Sequence, residues 1–283
     1  MISKPISAFE KKIKKFIPNR IKFLIVKLLA NKFFGQAIKI MMLRRTIRGG
    51  TFDYQNVSNK EAAEIFFGFW EAAEIRFALR FAKSKTIIEL GSSVGEMLGT
   101  LANKRYNTKF ICVEASPINF DKLLKLKQLL PHNSNEYRLI NKAIAYGLSH
   151  VPFLHRTTKG SKVLEKKIND SIQLSCITLS EIIKKFKIED DYCLITDIEG
   201  NEAPIFFEDS KALGKCVNII AEIEDTQNVS ANRQINQLKK IGFSLIEHTW
   251  QSVCFQQSLN LLVCKICIYI YEMIMRQRLF KYN

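Results

Sequence analysis

The sequence predicts an α/β fold: a doubly wound, mostly parallel sheet with helices on both faces, preceded by a helical N-terminal extension. Three observations carry this. From residue 86 onward, short apolar segments alternate with helical stretches, the pattern of strands joined by crossover helices. A loop bounded by Gly91 and Gly95 turns one apolar strand directly into a helix. Acidic residues recur at the carboxyl ends of several strands, the edge at which open α/β sheets bind ligands.

The 283 residues, 47% hydrophobic, suffice for one sizeable core plus extensions, and a charged fraction of 25% argues against general disorder. The net charge of +16 is unevenly placed. Residues 1–50 hold thirteen Lys/Arg against one acid, residues 259–283 add +3, and residues 51–258 are left with +1. The chain is therefore divided into a basic helical extension (1–50), a nearly neutral globular domain (51–258) and an apolar, basic C-terminal segment (259–283). Basic ends of this kind suit an anionic membrane surface; helices packed on the domain with a solvated rim are the plainer reading. Lys22, Lys27, Lys32 and Lys39 interrupt any membrane span, and no signal-peptide pattern is present, so a cytoplasmic location is expected. The seven cysteines are odd in number and mostly inside apolar runs, which favours buried free thiols; Cys264 and Cys267 form a lone C-x-x-C without a partner pair.

The elements follow in order. Residues 8–17 read as a basic helix ended by Pro18, a second helical stretch runs to about Phe34, where Gly35 permits a break, and a third runs to Arg45. Ser58 and Glu61 form a capping box for a helix continuing to about Ala82. Strands are predicted at 86–90, 109–113, 137–145, 192–196, 217–222 and 243–248, with helices at 96–103, 119–130, 179–186 and 204–213. The stretches 146–175 and 225–240 read as variable loops.

Three motifs carry chemistry. In Thr86-Ile-Ile-Glu-Leu-Gly-Ser-Ser-Val-Gly-Glu96 a buried strand ends at Glu89 and passes into the glycine loop. Glycine at 91 and 95 lets backbone approach a ligand, and Glu89 offsets a cationic amino-acid end. The dinucleotide fingerprint G-x-G-x-x-G is absent, which disfavours a nicotinamide oxidoreductase. Glu114 ends the next strand, 23 residues after Gly91, where a carboxylate accepts both hydroxyls of a ribose. Leu194-Ile-Thr-Asp-Ile-Glu-Gly-Asn-Glu202 then delivers Asp197 and Glu199 to a strand exit, and Ile219-Ile-Ala-Glu-Ile-Glu224 brings Glu222 and Glu224 to the same edge. Clustered carboxylates there suit ligand binding, metal binding or proton transfer.

Taken together, IIELGSSVGE, VEASPINFDKLLKL, NKAIA, TLSEIIKKF, LITDIEGNEAPIF and IIAEIE, in that order over roughly residues 70–225, resemble the FkbM-type S-adenosylmethionine-dependent methyltransferases. The resemblance implies a class I methyltransferase, Rossmann-like fold with a seven-stranded sheet and a final antiparallel hairpin. It also implies cofactor contacts at Glu89, Gly91, Gly95 and Glu114, with Ser92 and Ala115 beside them and Asn141 and Ala143 near the adenine. Asp197 and Glu199 match the family's D-x-E-G motif, which faces the methyl acceptor. Ser92-Ser93 stands where the family commonly has Ala-Asn, and the basic leader lies outside the family core.

The expected activity is O-methylation of a small or glycan acceptor. Asp197 is the first candidate base, Glu199 or Glu222 bind neighbouring hydroxyls or a metal, and His155 and His248 are alternative bases. An RNA methyltransferase is the rival reading. It is disfavoured because the basic residues lie outside the domain and no Asn-Pro-Pro-aromatic motif appears. A non-catalytic membrane-attached module is the other alternative, and the intact acid set argues against it.

Overall fold

The middle of the central sheet is built from strands that are apolar along most of their length, because helices cover both of its faces there, while the strands toward its two edges mix polar and apolar residues. In the computed structural model, which describes residues 19–131, 133–154, 162–163, 171–226, 228–249 and 252–257, these strands are β1 (Thr86–Leu90), β2 (Lys109–Glu114), β3 (Glu136–Asn141), β8 (Tyr192–Thr196), β9 (Cys216–Glu222), β10 (Phe243–His248) and β11 (Ser252–Gln257). Their spatial order is β10-β11-β9-β8-β1-β2-β3. β11 runs antiparallel to both its neighbours, while the other pairs are parallel. The fold class and its final antiparallel hairpin are as expected.

Side chains alternate between two core layers, as the two-residue period of a strand requires. Ile88, Leu90, Ile111 and Leu194 point into one layer, shared with α7 (Leu179–Lys185), α8 (Glu202–Phe207) and α9 (Ala231–Lys240). Ile87, Phe110, Cys112 and Cys193 point into the other, under α4 (Ala72–Phe81), α5 (Glu96–Ala102) and α6 (Pro117–Lys127). Cys112, Cys176, Cys193, Cys216 and Cys254 are buried free thiols. Cys264, Cys267, the helix expected at 8–17 and the segment 259–283 lie outside the described residues.

The chain reverses direction across the sheet at β1. From β1 it adds β2 and β3 on one side; after β3 it returns to place β8 on the other. A crevice forms at such a reversal, at the carboxyl ends of the two diverging strands.

Several sequence expectations change. The stretch 146–175 contains strands among its described residues: β5 (His150–Leu154), β6 (Lys162–Val163) and β7 (Ile172–Ile177) join β4 (Ala143–Ile144) in a small second sheet ordered β4-β7-β5-β6. The single strand expected at 137–145 is thereby split, with Ala143 and Ile144 pairing with β7. Part of the presumed loop 225–240 is α9, capped by Ser230, and the helix expected from Pro204 begins at Glu202. The helix expected over 58–82 is two helices, α3 (Asn59–Phe66) and α4, because Gly68 at φ 69° and Glu71 at φ 41° turn the chain between them. The Ser58–Glu61 capping box is present as predicted.

The extension also breaks elsewhere than expected. α1 (Asn19–Leu29) ends before Asn31, whose side chain caps α2 (Lys32–Ile40), and α2 runs straight through Gly35. Gly35 is there for contact: a Cβ built on it would lie 1.5 Å from the backbone oxygen of Asn59. α2 and α3 thus touch backbone to backbone, with Ile38, Val57, Ala62, Ile65 and Trp70 in one small core.

Replacing a helix-interior glycine by alanine ordinarily stabilises a protein by about 1 kcal/mol. Here the sign should invert. Gly35→Ala is expected to cost about 1–3 kcal/mol in urea unfolding, the range for overpacking a close contact. A more stable mutant would disprove the contact.

Candidate active site

At the crevice the exits of β1 and β8 are held together. The Asp197 N–H donates to the Leu90 carbonyl at 3.0 Å, and Gly91 N–H and Ser92 N–H both donate to the Val113 carbonyl, at 2.9 and 3.0 Å. Gly91 has φ 84°, and a Cβ there would sit 1.8 Å from the Asp197 carbonyl oxygen. The missing side chain makes room for the neighbouring strand exit as well as for a ligand. Gly95 opens α5 and packs against Leu123 and Leu126.

Above these exits lies a cavity of about 430 Å³, within the range of small-molecule sites. Of the residues singled out from sequence, Gly91, Glu114, Ala115, Asp197, Glu199 and Glu222 line it. The others stand behind that wall. Ser92 is buried, its hydroxyl near the Glu89 carbonyl. Asn141 donates from Nδ2 to the carbonyls of Glu114 and Ala115 at 2.8 and 3.0 Å, tying β3 to the exit of β2. Ala143 lies in the small core of the second sheet. Glu89 sits within β1 beside Cys112, whose Sγ donates to its carboxylate; burial and the Glu71 carboxylate push it up to about 8. His248 is exposed on β10, away from the lining residues. His155 lies outside the described residues.

The structure adds wall residues that the sequence did not reveal: Trp70, Glu71 and Glu74 from the α3–α4 turn and α4, Lys142 from the junction of β3 and β4, and Ile144 and Phe153 from the second sheet. Their signal was hidden. Glu71 and Glu74 read as the polar face of one long helix, and Phe153 as part of a loop.

Glu114 is set rigidly. Ser93 N–H donates to one carboxylate oxygen at 2.7 Å and Ser116 N–H to the other at 2.8 Å. Each oxygen keeps a further lone pair for a hydroxyl. Burial raises its pKa to about 7, against the pull of those two N–H groups. The Asp197–Glu199 loop is pinned through Ile198. Its N–H donates to the buried carboxylate of Glu202 at 2.7 Å, and its carbonyl accepts from Asn201 Nδ2 at 3.3 Å. Glu199 and Gly200 hold left-handed conformations, φ 56° and 92°, a strained geometry that the pinning sustains.

Electrostatics concentrate on the opposite half of the cavity. Burial first, then Glu71, Glu222, Glu202 and Glu199, drive Asp197 well above the ordinary carboxylate range. Glu222 is also raised, by burial and by Glu74 and Glu224, while its hydrogen bond with Asp197 opposes the rise. Glu202 is raised to about 7, mainly by burial. Six carboxylates and one lysine line the cavity. That wall fits S-adenosylmethionine on chemical grounds. Glu114 presents paired acceptors for a ribose diol, Gly91 offers bare backbone, and the acids balance sulfonium and ammonium charges. Among the described residues, no three His, Cys, Asp or Glu side chains come together as a metal site.

Residues 91–245 match the family described as Methyltransferase FkbM domain. No curated protein sequence matches the chain. Among solved structures the chain is similar to Aeropyrum pernix fibrillarin in complex with natively bound S-adenosyl-L-methionine, at 14% identity over 61% of this chain and 65% of that one, TM-score 0.37. It is also similar to precorrin-6y C5,15-methyltransferase from Geobacter metallireducens (9%, 74% and 95%, TM-score 0.41). A third is a putative RNA methyltransferase from Pyrococcus horikoshii (12%, 72% and 86%, TM-score 0.36).

Two outcomes are expected. Glu114→Ala should weaken S-adenosylmethionine binding by about 1.5–3 kcal/mol in calorimetry, the loss of charged hydrogen bonds; unchanged affinity would remove Glu114 from the site. The second concerns folding without ligand. Glu89, Glu114 and Glu202, pushed up to about 8, 7 and 7, bind more protons folded than unfolded. Their contribution is therefore present below the unfolded carboxylate pKa and is lost as pH rises through these values. The urea midpoint of the ligand-free protein should fall between about pH 5 and about pH 8. A midpoint that rises over that window would show these groups ionised at no cost.

Proposed function

Because the chain belongs to the FkbM methyltransferase family and uses S-adenosylmethionine, we propose that it methylates a hydroxyl oxygen on a small, sugar-like acceptor or glycan. The observation that carries this reading is the charge of the cavity wall, six carboxylates to one lysine, in a chain whose net charge is +16. Carboxylates accept hydrogen bonds from the hydroxyls of a neutral polyol. The same wall repels a phosphodiester, which argues against RNA as the acceptor. We place the enzyme in the cytoplasm, at the inner face of the membrane where the acceptor is lipid-linked.

Bound S-adenosylmethionine supplies an electrophilic methyl group. The residues of the chain prepare the acceptor for it. A hydroxyl is a poor nucleophile until its proton is removed, and a carboxyl group with a raised pKa is a matched base for that proton. Asp197 takes this role; its position is fixed by the backbone bond to Leu90 and by the pinned Ile198. Glu222, hydrogen-bonded to Asp197, shares the proton. Glu199, at the exposed rim of the cavity, binds a neighbouring hydroxyl. Trp70 and Phe153 supply apolar wall that limits access of water.

Asp197→Asn keeps the shape and removes the base. Turnover on the acceptor should fall by about 10²–10⁴-fold, with far less change in cofactor affinity. Nucleotide-sugars and glycans screened with labelled S-adenosylmethionine provide the assay. Normal turnover of the mutant would overturn the role of Asp197, and methylation of RNA in preference to every sugar acceptor would overturn the substrate class.

A further inference from the structure

The face that α1 and α2 turn away from the domain is apolar. Leu24 and Leu28 lie one turn apart on α1, Phe33 and Ile40 two turns apart on α2, and Met41 and Met42 follow directly. Each is at least 63% exposed; among the other large hydrophobic side chains described, only Tyr106 is as open. Six such residues within positions 24–42 mark an interaction surface, since isolated exposed apolar residues are ordinary and clusters are not. The opposite side of α2 is already used, with Gly35 and Ile38 buried against α3.

The charge of the same segment identifies the partner. Residues 19–50 contain eight Lys/Arg and no acid. Lys27 and Lys32, between the exposed apolar positions, are themselves exposed. Apolar side chains interleaved with cations, and no anions, are complementary to an anionic bilayer: lipid tails take the apolar groups and headgroups take the ammonium charges. A nucleic acid would use the cations and leave the apolar groups in water. A second copy of this chain would set like charges against each other.

We propose that this face, Leu24–Met42, docks the enzyme flat on an anionic membrane surface. The inference deepens the membrane placement proposed above, and its test is independent of the acceptor. α2 shares its core with Trp70, which lines the cavity, and with Val94 of the glycine loop. The docked element is therefore part of the body that carries the site.

The test is co-sedimentation of the full chain with vesicles of phosphatidylcholine alone and of phosphatidylcholine with phosphatidylserine. Binding should be about tenfold or more tighter on the anionic vesicles. It should weaken in high salt and leave a residue that salt does not remove. A triple variant, Leu28→Glu, Phe33→Glu and Ile40→Glu, should lose that residue and most of the binding. Unchanged S-adenosylmethionine affinity would show that the variant is folded, and its unchanged turnover on a soluble acceptor separates docking from chemistry. Absence of binding to anionic vesicles at low salt would overturn the proposal. So would equal binding by the variant, complete release by salt, or a wild-type dimer that the variant converts to monomer without any vesicle binding.

Discussion

The site depends on one close approach between two strand exits. Asp197 N–H reaches the Leu90 carbonyl only because position 91 has no side chain to strike the Asp197 carbonyl. Any Cβ there would drive β1 and β8 apart at their carboxyl ends, where the crevice opens. The glycine loop after β1 and the Asp197 carboxylate after β8, to which we assign the methyl donor and the acceptor, are thereby placed side by side. The glycine does this through backbone packing before any ligand is considered.

A cost follows from that placement. Bringing acids from β1, β2, β8, β9 and α4 to one edge removes carboxylates from water and sets them against each other, and Glu89, Glu114, Asp197 and Glu222 respond, chiefly to burial, by holding their protons more tightly. The fold answers with local anchors, two N–H donors on Glu114 and the Glu202 and Asn201 pins on Ile198. Burial is the largest cause of each raised value, with neighbouring carboxylates adding to it at Glu89, Asp197 and Glu222, so the raised carboxylates cluster at the strand exits.

The middle strands of the central sheet, β1, β2, β8 and β9, were legible in the sequence because they are buried on both faces, so their apolar runs are continuous, whereas β11 was not among the strands read from the residues. β1, β8 and β10 have the bounds expected, and β2 and β9 differ by one residue. The acids at strand exits were legible for the same reason, as polar residues that interrupt apolar runs. What was lost lies where that signal fails. β5 and β7 mix polar and apolar residues and pair at the edge of the molecule, so their stretch reads as loop. The turn between α3 and α4 was lost because Phe66, Phe67, Phe69 and Trp70 continue a helical apolar pattern across Gly68, and with it went Trp70 and Glu71 of the cavity wall. Gly35 misled in the opposite sense: a residue that breaks helices by propensity is here required by contact.

Glycine at 35 and at 91 does the same physical work at two ends of one unit. At 35 it lets α2 press its backbone on the start of α3; at 91 it lets β1 press on β8. Between the two contacts run Ile38, Ile65, Trp70 and Val94, a single small core linking the extension to the glycine loop. Thr51 N–H also donates to the Gly99 carbonyl within α5. The extension is therefore tied to the same helix that the glycine loop begins. The basic, apolar helices and the acidic cavity belong to one packed body, and the placing of +12 in residues 1–50 and +1 in residues 51–258 lets a cationic surface and an anionic site coexist within it.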